Sequence, residues 1–144
     1  MTTGEFLSTI GARDATLAPA AAAADISRAN MILQSMRCAM MPSALLDFYQ
    51  QCGGIVRGTA YIFGPMQIPR TPIYPIPSII DINKEMSTLP AAAGKTIFAR
   101  NDLFLFAFDA FGTFFMLDNL NLRVLRKYDN MIGAMTDCLA AGTV

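Results

Sequence analysis

The chain has 144 residues, 53% of them hydrophobic, with a mean hydropathy of +0.40. That is enough for one domain with a real core. Eleven basic residues balance eleven acidic ones, so the formal charge is zero and the pI is about 6.1, which argues against a general nucleic-acid binder. Histidine is absent, which removes Ser-His-Asp and Cys-His catalysis, histidine-ligated zinc and histidine general bases.

No apolar run approaches the ~18–20 residues of a membrane-spanning helix. The opening "MTTGEFLSTIGARD" lacks a basic start followed by a long apolar core, and Glu5 stands where an export leader wants positive charge. The expectation is a soluble, cytoplasmic protein that does not contact membrane. Its apolar surplus points to strands buried on both faces, or to an exposed patch that a partner covers. Cys38, Cys52 and Cys138 are odd in number and form no C-x-x-C. They read as reduced, buried thiols.

Residues 1–24 end in "LAPAAAAAD" and read as a short helical or mobile N-terminal arm. Residues 25–144 read as a single α+β domain. From Asp25 to Met40, Ile26, Ala29, Leu33, Met36 and Met40 recur at helical steps of three and four, with Asp25 or Ser27 available as the cap. A second helix follows Pro42, which suits a first helical position. Leu45, Phe48, Tyr49 and Cys52 form its stripe, and Gly53-Gly54 stops it by supplying a left-handed residue. "GTAYIFG" (58–64) reads as a short strand. The span from Pro65 to Pro77 holds five of the eight prolines, so it must be an ordered extended loop or an edge. Ser78 caps a short helix through Met86, and 90–94 is a linker.

Strand candidates then follow quickly: "KTIFAR" (95–100), "LFLFAF" (103–108), "TFFML" (113–117) and, less regular, "LRVLRKY" (122–128). Such short connections permit only antiparallel neighbours. A helix from about Asp129 to Ala140 closes the chain. The expected fold is α+β: N-terminal helices, a central antiparallel meander of about four to five strands, and a C-terminal helix.

Asp109 and Asp118 bracket the phenylalanine-rich ribbon and could suggest a paired acid and base. "DAFG" explains Asp109 as the first position of a type I turn closed by Gly112, and Asp118 with Asn119 suits the next turn. The two carboxylates fall at opposite ends of a strand, roughly 15–20 Å apart, whereas paired-carboxylate hydrolysis needs ~5–10 Å. "AAAGKT" (91–96) ends like a phosphate-binding loop. It lacks the first glycine, with Leu89 in its place, and leads into a strand. A small enzyme using Lys95 or Tyr61 without histidine is a further alternative, and would need a deep polar pocket.

Binding features are more numerous. The proline-rich loop offers Met66, Ile68, Arg70, Ile73 and Tyr74, the apolar, arginine and tyrosine mixture of a protein-contact hot spot. Phe111 stands at a turn tip, where an aromatic is hard to bury. Arg123, Arg126 and Lys127 read as a solvated strand edge guarded against aggregation, or as a rim for an acidic partner. Arg70, Tyr74, Phe111, Arg123 and Arg126 are the candidate partner-binding residues. No catalytic, cofactor-binding or metal-binding residue is expected, and self-association stays open.

"MPSALLDFYQQCGG", "IIDINKEM" (79–86), "TIFARNDLFLFAFDAFGTFFMLD" and "RVLRKY" follow in an order and spacing that resemble the SUKH superfamily, which includes bacterial immunity proteins and fungal cell-wall-synthesis regulators. The likeness covers roughly residues 25–140. It departs from the family pattern at Cys52, where asparagine is usual, in the long proline stretch and in its neutral charge. The resemblance implies an α+β domain without catalytic residues or cofactor. It would bind the catalytic domain of a cognate toxin in the cytoplasm and block it. The alternative it implies is a regulatory or scaffold module acting on a cellular enzyme.

Overall fold

The computed structural model describes residues 2–69 and 74–140. Its elements in chain order are α1 (Thr3–Gly11), β1 (Thr16–Leu17), α2 (Ala23–Ser35), α3 (Ser43–Gln51), β2 (Ile55–Arg57), β3 (Ala60–Ile62), α4 (Ile79–Met86), a 3-10 turn (Pro90–Ala92), β4 (Lys95–Arg100), β5 (Phe104–Asp109), β6 (Phe114–Asp118), β7 (Val124–Tyr128) and α5 (Met131–Ala140). The class is α+β. The strands form one antiparallel sheet in the order β1 to β7. The meander therefore has seven strands and not four to five. β1 has two residues and β2 has three, too few for alternation to register as a pattern.

The stretch read as an arm contributes α1 and β1. Thr2 caps α1 by accepting the Glu5 amide, and Phe6 and Ile10 are buried. α2 ends at Ser35 and does not reach Met40. Arg37 takes a left-handed φ of 62° and the Cys38 amide reaches back 2.9 Å to the Leu33 carbonyl, the bonding of a Schellman cap with arginine where glycine is usual. Neither Asp25 nor Ser27 caps this helix, since Ala22 holds the N-cap position. Pro42 is likewise the N-cap of α3 and not its first turn.

Gly53 and Gly54 follow α3 for a different reason from the one expected. Cys52 ends the helix in an extended conformation. A Cβ on Gly53 would lie 2.5 Å from the Pro19 carbonyl oxygen, and one on Gly64 would lie 1.8 Å from that of Gly53. Three backbone segments thus touch where only glycine fits. This contact fixes the chain after β1 against the start of the proline-rich loop.

Thr96–Ala99 and Leu105–Phe108 are buried without a break. Neighbouring side chains on a strand point to opposite faces, so the middle of the sheet is covered on both, as the apolar surplus suggested. α5 lies across β3 to β7, while α4 packs on β4 and against α2. Phe98, Phe108 and Phe114 meet with ring centroids 5.5–6.1 Å apart, within the favourable range for tilted and edge-on pairs. Arg57 ties two distant segments together, donating to the Arg13 carbonyl at 3.1 Å and the Leu139 carbonyl at 2.8 Å. Among the described residues, no helix is long and apolar enough to cross a membrane.

The register between β4 and β5 slips between Ile97 and Ala99. The buried Asn83 side chain of α4 is aimed there. Its amide donates to the Ile79 and Ile97 carbonyls at 2.7 and 2.8 Å, and its oxygen accepts the Ile97 amide at 2.9 Å.

Two stability measurements test these contacts. Asn83→Ala leaves both Ile97 backbone groups buried without partners, so urea unfolding should show a loss of about 3 kcal/mol. Gly64→Ala should cost on the order of 3 kcal/mol or prevent folding, whereas Gly4→Ala, open to solvent in α1, should be neutral or stabilising by up to about 1 kcal/mol.

Candidate protein-binding surface

The two aspartates are placed by β5. Asp118 pairs with Phe104 at its start and Asp109 stands at its end. Five steps of strand separate them, about 16 Å. Each carboxylate builds its own turn. Asp109 accepts the Phe111 and Thr113 amides at 2.9 and 3.0 Å, and Gly112 completes the bend at a φ of 77°. Asp118 accepts the Leu120 and Asn121 amides at 2.8 and 3.3 Å.

The turn at Asp109 holds Phe111 in solvent, 93% exposed. Tyr74 is 90% exposed on the proline-rich loop. Arg70 lies outside the described residues, as does Ile73. Arg123 is exposed at the start of β7. Arg126 is engaged: it forms a 2.7 Å ion pair with Asp137 and stacks 4.9 Å over the Tyr128 ring, and Tyr128 also donates to Asp137 at 2.7 Å. The structure does not gather these residues into one patch. The proline-rich loop follows β3, and β7 lies four strands further on, about 19 Å away. Phe111 and Arg123 sit at opposite ends of the sheet.

Two hollows flank the proline-rich loop. The larger, about 470 Å³, lies between residues 16–25 and 65–69, with Leu17, Pro19, Met66 and Ile68 in its apolar wall. The second, about 320 Å³, lies beyond Met66 and Gln67 and carries Arg28, Asp81 and Lys84. Ile68 and Ile76 close the loop with two backbone bonds of 3.1 and 2.9 Å. The Ile79 amide donates to the Gly64 carbonyl at 2.8 Å, and the Gln67 amide to Asp81 at 3.1 Å. Residues 65–69 therefore form a ridge between the hollows, tied to residues 76–81. Composition located the ridge, but the hollows escaped sequence reasoning because residues far apart in the chain form their walls.

Lys95 lines a third, smaller hollow with Arg37 and Cys38, and its ammonium lies 5.8 Å from the centre of the Phe115 ring. Burial pushes the Cys38, Cys52 and Cys138 thiols up, away from the thiolate that nucleophilic chemistry needs. Among the described residues, no three Cys, Asp or Glu side chains group to hold a metal ion. No family model, no curated protein and no solved structure matches the chain.

Ser78 and Asp81 form a capping box at the start of α4, with bonds of 3.0 and 3.1 Å. Burial pushes the Asp81 carboxyl up, but bonds from the Ser78 backbone amide, Gln67 and the Ser78 side chain, with Lys84 nearby, outweigh it and hold it below the usual range. A lowered pKa in the folded chain contributes stability above the unfolded carboxylate value, near ~3.9, and loses it as pH falls through the folded value. Ser78→Ala should cost about 1 kcal/mol at pH 7. The stability gap between the wild type and Asp81→Asn should be full at pH 7 and close below about pH 4. Urea unfolding at both pH values measures it, and a gap unchanged at low pH would contradict this account.

Proposed function

We propose that the chain is an immunity protein that binds and neutralises a cognate bacterial polymorphic toxin by protein–protein contact, acting in the cytoplasm. The observation that carries this reading is Phe111, an aromatic side chain almost wholly in solvent on a turn fixed by the Asp109 carboxylate. A rigid exposed aromatic loses little conformational entropy on binding and suits a hot spot. The order of motifs that resembles the SUKH superfamily supports the same reading. Tyr74 and the ridge at Met66 give a second exposed apolar area, and an inhibitor needs such a surface more than a reactive group.

The test is co-expression with the product of the adjacent gene. The wild type should capture that protein and rescue growth from its toxicity. Phe111→Ala should weaken capture by roughly tenfold or more, equivalent to at least about 1.4 kcal/mol, with the melting temperature unchanged because the side chain contributes little to the core. A wild type that neither captures nor rescues would remove the immunity reading in favour of a regulatory module acting on a cellular enzyme.

A further inference from the structure

The smallest of the three hollows, about 210 Å³, collects positive charge. Arg37, Ser87 and Lys95 give its polar wall, Met36 and Ala92 part of its apolar wall, and no carboxylate lines it. Three elements deliver the polar groups: the cap after α2, the end of α4 and the start of β4. One side is the "AAAGK" segment that ends like a phosphate-binding loop.

Backbone bonds set the walls. Arg37, at a φ of 62°, donates its amide to the Gln34 carbonyl at 3.0 Å, and the Cys38 amide closes on Leu33 at 2.9 Å. The buried Thr96 hydroxyl donates to the Ala39 carbonyl at 2.7 Å, which ties the segment after Arg37 to the strand that carries Lys95. The Ser87 amide donates to the Asn83 carbonyl at 2.8 Å, and the Ala92 and Ala93 amides bond back to Leu89 and Pro90 at 3.0 and 3.1 Å. Gly94 takes a φ of 76°, and a Cβ there would meet nothing within 4 Å, so this side of the hollow is open. The fold thus brings the two cations to one cavity.

Arg37 and Lys95 form no ion pair among the described residues. Like charges on the walls of one hollow repel and focus a positive field, which an anion relieves. Asp109 pairs with Lys95 across the strands, but Lys127 offsets it, standing opposite Phe115, the ring beneath the Lys95 ammonium. Lys84 and Glu85, one of each sign, are exposed on the last turn of α4 and line no part of the hollow. A basic side chain at a helix C-terminus also complements the half negative charge of the carbonyl end. That accounts for Arg37 beside α2. It does not account for Lys95, which belongs to a strand.

We propose that this hollow holds a phosphate group, free or on a small monoester. A phosphate dianion balances two cations and has an oxygen for each donor: the Arg37 fork, the Lys95 ammonium and the Ser87 hydroxyl, which bonds to no group among the described residues. A carboxylate offers one charge and two oxygens. The amide cradle and helix start of a phosphate-binding loop are not used, since β4 follows Gly94 directly. Side chains from three elements do the binding instead. The site goes beyond the immunity reading and does not depend on it.

The probes are inorganic phosphate and glycerol phosphate, added to the full chain at an ionic strength held constant with sodium chloride. Amide chemical shifts should saturate with either probe and centre on Arg37, Ser87, Gly94 and Lys95, and the tighter probe names the source. Lys95→Gln and Arg37→Gln should each weaken binding at least about tenfold, while Lys95→Arg stays within about threefold. Lys84→Gln, beside the neighbouring hollow, should change nothing. The spectra of the unliganded variants show that the fold is kept. Shifts that never saturate, that chloride alone reproduces, or that centre on Arg28 and Lys84 would overturn the proposal, as would full affinity in Lys95→Gln. Should Lys95→Gln not fold, the contrast between Arg37→Gln and Lys95→Arg decides the matter. Growth rescue by the adjacent gene product's capture tests the immunity reading alone.

Discussion

One buried carboxamide organises this fold. Asn83 closes three hydrogen bonds inside the core, two of them to the backbone of Ile97 where the β4–β5 register slips. An irregular strand leaves backbone groups that must find partners away from water. The side chain supplies them and so locks α4 to the middle of the sheet. α4 in turn fixes the end of the proline-rich loop through the Ile79–Gly64 bond, and β4 carries β3 on one side and β5 on the other. The hollows and the exposed turns are positioned from this joint.

Because the middle of the sheet is covered on both faces, its exposed large apolar side chains stand at the turns and edge strands. The acids illustrate this. Asp109 and Asp118 sit where the ribbon reverses, each occupied by amides of its own turn, and each turn then displays a large apolar residue. Chain reversal and display are one device: a carboxylate that satisfies several backbone donors makes a loop stiff enough to hold Phe111 or Leu120 in water.

What the sequence disclosed follows from how local each cause is. The Ser78 cap of α4 and the Asp109-to-Gly112 turn lie within four residues, and both were legible. The four long strands were legible through composition. β1 and β2 were not, because pairing and not side-chain pattern makes them strands. Gly53-Gly54 marked a helix end, yet the need for glycine comes from Pro19 and Gly64, which touch it only in three dimensions. Arg37 gave no sign of ending α2, since nothing local singles out an arginine for a left-handed position. Tyr74 and Phe111 were legible as exposed residues. Their separation from Arg123 was not, because it depends on how many strands intervene.

The Arg57 guanidinium joins the segment after α1 to the last turn of α5. Helix ends ordinarily fray one at a time, at little cost to the rest of a molecule. Here, loosening either terminus strips that arginine of a partner, so the two extremities should open together, as a seam gives way along its length.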